Sequence, residues 1–507
     1  MADEQVIPTE EAVRIAKAKA LRDDGINPYP ASTRRDTIVA DAVSHFDAWA
    51  AEKKVVIVAG RLRSIRAHGG AAFADLEDAS GKIQLHIKSD VIGEVSFALF
   101  MNTIDHADVI EAEGTLFLTK RGQQSIEVTS WNILSKALLP LPEKWHGLSD
   151  VEIRYRKRYL DLLANPEVFE IFKKRSIIVQ KIREVLSREG FMEVETPILQ
   201  TIAGGASAKP FITHHNALDM DLYLRIAPEL FLKRLIVGGY EKVFEMARCF
   251  RNEGISFQHN PEFTQVEFYW AYATYEDLMK LNETMLTEIV GALQGGKMTV
   301  ERDGVTLDFT APYPRKTFYS LVHERTGIDL TEANDEKKLA AAIKDKKMNL
   351  DIADAVGFGE LCDLLYKTYV RPHIVQPTFV TDYPAEMIAL AKRKEGQEDR
   401  IASVQLVAQG VELSKAYNEL NDPLEQQARF MEEEMKKGKG SDEAMATDAD
   451  FIEALKHGMP PTAGFGMGIE RLTALLTGAH SIKEVMLFPT MKPEQPSVIP
   501  SEAEGSI

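Results

Sequence analysis

Short strand-like segments separated by turns occupy residues 55–133, and they restrict the possible folds more than any other feature of the chain. The segments VVIVAGRL, AAFADLED and KIQLHI are β-branched or alternate between apolar and polar residues, with turn dipeptides at 69–70 and 80–81. Two further segments of this kind follow at 108–118 and 124–133. Because side chains alternate across a strand, such segments bury one face and expose the other. The pattern therefore predicts a small all-β unit.

The number and length of these strands suit a five-stranded OB-fold barrel, which we place at residues 55–135. Exposed aromatic side chains on such a barrel stack on nucleic-acid bases, and amides or cations beside them read the base edges. Phe73, Gln84 and Arg66 are the candidates for these roles. The core is the commoner position for a phenylalanine, so the strand pattern by itself leaves both positions open for Phe73.

The remaining residues divide into an N-terminal helical extension (1–54), a linker (136–150), a mixed α/β region (151–490) and a polar, flexible tail (491–507). The segment 9–24 has a polar start, helix-forming residues and Gly25 as a stop, which predicts a helix. Apolar residues recur at helical spacing over 166–189, which predicts a helix with one buried face. The segment 331–350, rich in Lys, Asp and Ala, predicts an exposed helical insertion.

The composition excludes several classes of protein. A net charge of -17 argues against a general polyanion binder, although a few basic side chains on one face can still bind a nucleic acid. Cys249 and Cys362 form no CxxC pair, which argues against a disulfide framework and against a zinc site. The N-terminus lacks the basic start and apolar stretch of a signal sequence, and no run reaches about 18 apolar residues. We therefore expect a cytoplasmic protein with neither a membrane nor DNA as its partner.

Two arginines with glycines and carboxylates around them mark the mixed α/β region. Arg251 lies in the segment FRNEG at 250–254, and Arg471 ends the segment GFGMGIER at 464–471. A guanidinium group grips phosphate oxygens at two positions at once. A carboxylate such as Glu253 can accept a hydrogen bond from an adenine amino group. The pair indicates a site for ATP.

These two segments resemble motifs 2 and 3 of the class II aminoacyl-tRNA synthetases, and FMEVETPILQ at 191–200 resembles motif 1. The words FRNEGISFQHNPEFTQVEFY and YNELND, at 250–269 and 417–422, look like the lysyl-tRNA synthetase branch. The resemblance extends from about residue 10 to about residue 490. It implies an α+β chain that combines an OB-fold anticodon-binding barrel with a class II catalytic domain, in which helices flank an antiparallel sheet. It also implies a homodimer, built through motif 1.

The resemblance implies a role in ATP binding for five residues. Arg251 would bridge the carboxylate of the amino acid and the α-phosphate, and Arg471 would hold the γ-phosphate. His259 would lie near the terminal phosphates, Phe263 would stack on adenine, and Glu253 would contact the adenine amino group. Arg251 and Arg471 would also be the catalytic residues, because activation requires neutralisation of charge at phosphorus rather than a protein nucleophile.

A second set of residues is implied in the recognition of lysine. Buried ammonium groups require acceptors around them, and Glu267, Tyr269 and Glu419 would surround the side-chain ammonium. Glu229 and Gly205 would hold the α-amino group. Aspartyl and asparaginyl enzymes share the barrel and the three motifs, but they would need a cationic or amide pocket.

The tRNA contacts implied by the resemblance lie in the N-terminal part of the chain. Phe73 would be a stacking platform for an anticodon base, with Gln84 and Arg66 beside it. The basic residues of the helix at 9–24 either face solvent or contact the tRNA backbone, as similar extensions do in the family; they are Arg14, Lys17, Lys19 and Arg22.

Three positions depart from the family pattern. Lysyl enzymes usually present two metal-binding glutamates seven residues apart; Glu412 matches the second, but Gln405 stands at the first, which leaves the number of Mg²⁺ ions open. Lys415 replaces a usual asparagine and would either hold the substrate carboxylate or fold towards Glu419 and occupy the place of the substrate. The usual SPLA is replaced by IALA at 388–391, which indicates local repacking.

Together these features predict an enzyme that attaches lysine to the 3′ end of its tRNA through a lysyl adenylate, with ATP, lysine and tRNA as its partners and Mg²⁺ as its cofactor. A ligase that attaches lysine to a protein is an alternative, but such ligases lack the N-terminal barrel. A non-catalytic paralogue that binds tRNA or a nucleotide is the other alternative, because of Gln405 and Lys415.

Overall fold

A computed structural model describes residues 9–141, 148–206, 208–353, 355–438 and 446–493. The chain divides into two compact units, Met1–Ser149 and Asp150–Ile507. Residues 142–147 of the predicted linker and residues 494–507 of the predicted tail lie outside the described residues.

The first unit contains a closed barrel, as the strand pattern predicts. Among the described residues its strands are β1 (Val55–His68), β2 (Ala71–Asp78), β3 (Gly81–Lys88), β4 (Val109–Leu118) and β5 (Gln124–Ser135). They follow the order β1-β2-β3-β5-β4, and β4 closes the barrel on β1. Alternate side chains fill its interior; Ala72, Ala74 and Leu76 of β2 are buried, whereas Phe73 and Asp75 lie on the other face.

Helices of the first unit lie before β1 and between β3 and β4. They are α1 (Glu10–Asp23), α2 (Val39–Ser44), α3 (Phe46–Ala51), α4 (Ser89–Ile92) and α5 (Glu94–Thr103). The predicted helix at 9–24 is confirmed as α1, where the Thr9 hydroxyl accepts a hydrogen bond from the amide of Ala12. Arg14 is buried and donates to the carbonyls of His106 and Ala137, and Lys17 pairs with Asp105. These two basic side chains therefore contact other groups of the first unit and do not simply face solvent.

The second unit is built on one large sheet and three small ones. Its described strands are β6 (Met192–Glu193), β7 (Leu199–Gln200), β8 (Phe211–His215), β9 (Met220–Leu224), β10 (Lys242–Phe250), β11 (Glu262–Ala271), β12 (Thr299–Arg302), β13 (Val305–Asp308), β14 (Arg315–Thr317), β15 (Thr378–Thr381), β16 (Arg393–Lys394), β17 (Gln397–Ile401), β18 (Ser403–Ala408), β19 (Val411–Asn418) and β20 (Thr462–Gly468). The large sheet has the order β14-β15-β18-β19-β20-β11-β10-β6. It is antiparallel except at its two edges, where β14 and β6 pair in parallel with their neighbours.

Helices cover both faces of this sheet. The described α-helices are α6 (Val151–Arg156), α7 (Arg158–Ala164), α8 (Pro166–Arg188), α9 (Glu229–Val237), α10 (Tyr275–Leu293), α11 (Phe318–Thr326), α12 (Glu336–Asp345), α13 (Gly357–Leu365), α14 (Pro423–Gly438), α15 (Ala449–Lys456) and α16 (Ile469–Thr477). In the described part of the chain, no helix has the length and apolar character needed to cross a membrane. The helix predicted within 331–350 is confirmed as α12, most of whose side chains are exposed, while Leu339 and Ile343 pack in the core.

The alternation along β11 separates the two faces of the sheet. Val266 and Phe268 pack into a core shared with α8, α10 and α16. Glu267 and Tyr269 point to the opposite face, where the core contains residues of α9, α11 and α13. Glu267 and Tyr269 therefore lie between the sheet and the layer formed by α9, α11 and α13. Cys249 and Cys362 are both buried free thiols.

Candidate active site

A cavity of about 1040 Å³ opens on the polar face of the large sheet. All the residues of the second unit that the sequence predicts to bind ATP, lysine or metal line it; these are Gly205, Glu229, Arg251, Glu253, His259, Phe263, Glu267, Tyr269, Glu412, Glu419 and Arg471. Gln405 and Lys415 line the same cavity. The structure thus brings together side chains from widely separated parts of the sequence.

One end of the cavity is cationic. Arg251 follows β10 directly, its guanidinium lies 5.0 Å from the ring centre of Phe263, and its buried Nε has no hydrogen-bond partner among the described residues. Arg471, in the first turn of α16, places Nη2 3.4 Å from Nε2 of His259. Burial, helped by the nearby Arg471, lowers the pKa of His259. The imidazole is therefore neutral at physiological pH and can share this end with the guanidinium groups.

Two glycines of β20 leave the floor of the cavity open. A Cβ atom at Gly464 would overlap Oε1 of Glu419 and would come within 2.6 Å of Cε1 of Tyr269. At Gly466 the nearest atom to a Cβ would be Cγ of Glu267, at 3.8 Å. Gly464 is thus required for the approach of the groups around it, whereas Gly466 has room for a methyl group.

The other end of the cavity is anionic. Oε1 of Glu267 accepts a hydrogen bond from the Gln265 amide, and the Tyr269 hydroxyl lies 3.4 Å from Oε2. Burial, with the charge of Glu229, raises the pKa of Glu267 well above its usual range. Burial also raises the pKa of Glu419 well above its usual range, although Lys233 opposes this effect. Such carboxyls are stabilised in their ionised form by a cation in the cavity.

Lys233 is a residue of this site that the sequence analysis missed. It lies one turn after Glu229 on α9, and Nζ donates to Glu229 Oε1 at 2.7 Å and pairs with Glu419 Oε2. The Tyr417 hydroxyl donates to the carboxylate of Glu229, 2.9 Å and 3.0 Å from its two oxygens. The spacing of four residues between Glu229 and Lys233 was the available signal, since it places both side chains on one face of a helix.

Gly205 lies against the start of α9. Its φ of +86° falls in the left-handed region, where side chains are strained. A Cβ atom there would also come within 3.2 Å of Cβ of Glu229 and 3.3 Å of Cβ of Ala227. The turn therefore approaches Glu229 more closely than a larger residue would allow.

The predicted base-binding residues of the first unit lie on one outer face of the barrel. Phe73 of β2 is half-buried and stacks on His86 of β3, with ring centres 4.4 Å apart and planes at 2°. The interpretation of Phe73 as a core residue is therefore wrong. Gln84 lies two residues before His86 and accepts a hydrogen bond from the Ser125 hydroxyl at 3.0 Å. Arg66 of β1 lies opposite Phe73 of β2 in the strand register, and its side chain is exposed.

Comparison with known proteins agrees with this architecture. Residues 150–492 match the family model of class II tRNA synthetases (D, K and N), and residues 56–134 match that of the OB-fold nucleic acid binding domain. The lysine–tRNA ligase of Thermoanaerobacter pseudethanolicus is 46% identical over 484 residues, which cover 95% of this chain and 96% of the relative. That of Clostridium perfringens is 46% identical over 495 residues, covering 97% and 98% of the two chains. The chain belongs to the lysine–tRNA ligase family.

Two of the departures from the lysine–tRNA ligase pattern are neighbours in the fold. Gln405 and Lys415 face each other across β18 and β19. Oε1 of Gln405 accepts a hydrogen bond from the Tyr383 hydroxyl at 2.9 Å. Nζ of Lys415 lies 5.9 Å from the ring centre of Tyr417, and burial lowers the pKa of Lys415. In the described structure no ion pair joins Lys415 to Glu419, whose partner is Lys233 instead.

Magnesium would find few protein ligands in this member of the lysine–tRNA ligase family. Within the described residues there is no group of three or more His, Cys, Asp or Glu side chains that could hold a metal ion. Glu412 lines the cavity with a half-exposed carboxylate, and the amide oxygen of Gln405 is already hydrogen-bonded. Because Mg²⁺ often takes only one or two protein carboxylates together with substrate phosphates, the residues fit one ion shared with ATP.

Proposed function

We propose that this chain attaches lysine to the 3′ end of its tRNA, with ATP, through a lysyl-adenylate intermediate. One observation carries the proposal: Glu229, Glu267 and Glu419 lie together at one end of the cavity, and Arg251 and Arg471 lie at its other end. A cationic amino acid whose own carboxylate must meet a phosphate group matches this distribution of charge.

In the first step, a carboxylate oxygen of lysine attacks the α-phosphorus of ATP and forms a new P–O bond. The bond from the α-phosphorus to the bridging oxygen breaks, and pyrophosphate leaves with that electron pair. In the second step, a ribose hydroxyl at the 3′ end of tRNA attacks the acyl carbon, AMP leaves, and the hydroxyl proton is released. The lysine carboxylate is itself the nucleophile, so the protein contributes positioning and charge.

The cationic end suits the phosphate chemistry. We assign Arg251 to the lysine carboxylate and α-phosphate together, because its buried Nε has no hydrogen-bond partner among the described residues and its charge is near enough to lower the pKa of Glu267 against the effect of burial. Arg471 and the neutral His259 would hold the terminal phosphates. Phe263 would stack on adenine, and Glu253 would accept a hydrogen bond from its amino group. Glu412 would hold Mg²⁺ with the phosphates, and the ion would neutralise charge on the leaving pyrophosphate.

The anionic end suits the two ammonium groups of lysine. Tyr269 and Glu419 lie against Gly464 and Glu267 lies against Gly466, and we assign the space between these three side chains to the side-chain ammonium. Glu229, beside the turn at Gly205, would accept the α-ammonium group. Lys415 would hold the lysine carboxylate, because it has no ion pair to Glu419 in the described structure and lines the same cavity.

For tRNA, we propose that the first unit binds the anticodon on the face that carries Phe73, Gln84 and Arg66. The stacked, half-buried ring of Phe73 offers a platform for a base, and the exposed guanidinium of Arg66 can meet a phosphate or a base edge. This role in translation would place the reaction in the cytoplasm.

We also propose that two copies of the chain form a dimer through the motif 1 segment. Met192, Ile198 and Leu199 are 53%, 44% and 48% exposed, which is a high exposure for apolar side chains so close together. Sedimentation velocity should give about twice the mass of one chain. A monomer at micromolar concentration would contradict this part of the proposal.

Lysine-dependent exchange of pyrophosphate into ATP, measured with each of the twenty amino acids, tests the proposed reaction. We expect exchange with lysine, and loss of exchange in Arg251→Ala by at least about a hundredfold, as for removal of one donor to a transition-state charge. Exchange at background level in the unaltered chain would instead favour a non-catalytic protein that binds tRNA or a nucleotide. Lysylation of a protein rather than tRNA would favour the other alternative.

A further inference from the structure

The buried ammonium of Lys233 lies between two of the carboxylates assigned to lysine binding. Its side chain and that of Glu419 are 0% exposed, and that of Glu229 is 7% exposed. Nζ reaches Glu229 Oε1 at 2.7 Å and Glu419 Oε2, and the rings of Tyr417 and Phe451 lie 6.0 Å and 5.8 Å from it. Lysine side chains are almost never fully buried unless they are paired. This one is paired twice.

The pairing leaves part of each carboxylate available to a ligand. Oε1 of Glu419 is buried, has no hydrogen-bond partner among the described residues, and lies where a side chain at Gly464 would otherwise stand. Among the described residues, the Tyr417 hydroxyl, whose proton is shared with Oε1, is the one donor to Oε2 of Glu229. A buried acceptor without a donor is costly unless a ligand supplies one.

The charges of this end can be counted. Glu229, Glu267 and Glu419 carry three negative charges when ionised, and Lys233 carries one positive charge, so these four side chains together carry a net charge of −2. Free lysine has two ammonium groups, and its carboxylate is assigned to Arg251 and Lys415. Without Lys233 this end would be too negative by one charge, or one carboxyl would take up a proton.

Resting on the lysine specificity proposed above, we propose that Lys233 is a positioning residue that reduces the negative charge of this end by one and orients Glu229 and Glu419 for the substrate. Its ion pair opposes protonation of Glu419, and Glu229 and Glu419 each keep an oxygen that can accept a hydrogen bond from one ammonium group of the substrate. Lys233 does not touch the reacting atoms. The pocket is thereby set for an amino acid with two ammonium groups.

The surroundings of Lys233 agree with a fixed cation. Burial alone would lower the pKa of Lys233, but the charges of Glu229 and Glu419 outweigh it and raise that pKa above its ordinary value. Tyr269 and Tyr417 also face this end, and burial raises the pKa of each well above its usual range, so both remain neutral hydrogen-bond donors.

Isothermal titration of lysine into the full chain, in buffers of different ionisation enthalpy, tests the proposal by counting the protons released. In Lys233→Met, a carboxyl that is protonated in the free protein must ionise when lysine binds. We expect up to one more proton released per lysine than in the unaltered chain at some pH between about 6 and 9. Affinity for lysine should fall by about tenfold or more, as when a hydrogen bond to a charged group is lost, while affinity for ATP stays within about threefold.

Two further variants separate charge from packing. Lys233→Arg keeps the cation, so it should release the same number of protons as the unaltered chain even if it binds lysine more weakly. Lys242→Met removes a half-buried lysine whose Nζ donates to the Glu189 carbonyl at 2.7 Å, outside the cavity, and should match the unaltered chain. Equal proton release in Lys233→Met and the unaltered chain at every pH would overturn the proposal.

A measurement on the unaltered chain covers the case in which Lys233→Met does not fold. With ¹⁵N-labelled lysine side chains, the Nζ signal of Lys233, assigned with Lys233→Arg, should remain that of an ammonium up to about pH 9. Deprotonation below that pH would overturn the proposal. If the unaltered chain binds no lysine at all, the proposed function fails instead, and the titration distinguishes the two failures.

Discussion

The substitution Gly464→Ala tests how closely the fold brings the lysine-binding groups together. The added methyl group would overlap Oε1 of Glu419 and lie 2.6 Å from Cε1 of Tyr269, whereas unstrained contacts need about 3.5 Å. At least one of these groups must therefore move by roughly 1 Å. Glu419 is held by Lys233, so it cannot move without breaking a buried ion pair.

A misplacement of about 1 Å in an active site costs roughly a hundredfold in rate, which corresponds to about 2.7 kcal/mol. We therefore expect kcat/KM for lysine to fall by about a hundredfold in pyrophosphate exchange, while KM for ATP changes by less than about threefold. Circular dichroism should show that the variant is folded. We expect the loss in the kinetic constants for lysine rather than for ATP, because Gly464 lies against the anionic end of the cavity.

Gly466→Ala is the matched control, two residues along the same strand. Its methyl group would meet Cγ of Glu267 at 3.8 Å, an ordinary contact, so no protein group has to move. The fold-loss of kcat/KM for lysine in Gly466→Ala should be less than about a tenth of the fold-loss in Gly464→Ala. The reasoning is refuted if Gly464→Ala keeps kcat/KM for lysine within about threefold, or if Gly466→Ala is the more damaging variant.

Three other predictions concern different parts of the account. Because burial raises the pKa of Glu267 and Glu419, more of their carboxyls are protonated as the pH falls; KM for lysine in the exchange reaction should therefore rise between about pH 8 and about pH 6, and a constant KM would contradict this. Lys415→Asn should weaken lysine binding about tenfold in a calorimetric titration, whereas a tenfold gain would mean that Lys415 competes with the substrate. Phe73→Ala should raise KM for tRNA about tenfold in aminoacylation and leave pyrophosphate exchange unchanged, since one stacked base contributes about 1–3 kcal/mol; equal damage to both reactions would refute the base-binding role.

Local patterns predicted much of the fold. The alternation in β2 and the helical spacing over 166–189 depend on neighbours in the sequence, and both elements are confirmed. The same alternation on β11 placed Glu267 and Tyr269 on one face of a strand. These features could be predicted because a strand or helix fixes the direction of its side chains by itself.

Features that depend on distant contacts could not be predicted. In the sequence, Lys233 has no feature that distinguishes it from other basic residues of helices. Its partner Glu419 lies in the segment after β19, and the two side chains meet because of the fold. The burial of Leu339 in α12 likewise depends on a core formed by distant elements. The position of Phe73 on the outer face could not be decided from its strand pattern, since either face of β2 carries apolar residues.

A crystal structure with a non-hydrolysable analogue of lysyl adenylate tests the central claim most directly. We expect the side-chain ammonium of the analogue within about 3.2 Å of a carboxylate oxygen of Glu267 or Glu419, and Arg251 in contact with the phosphate group. An analogue whose ammonium lies outside the anionic end of the cavity, beyond the reach of both carboxylates, would contradict the account.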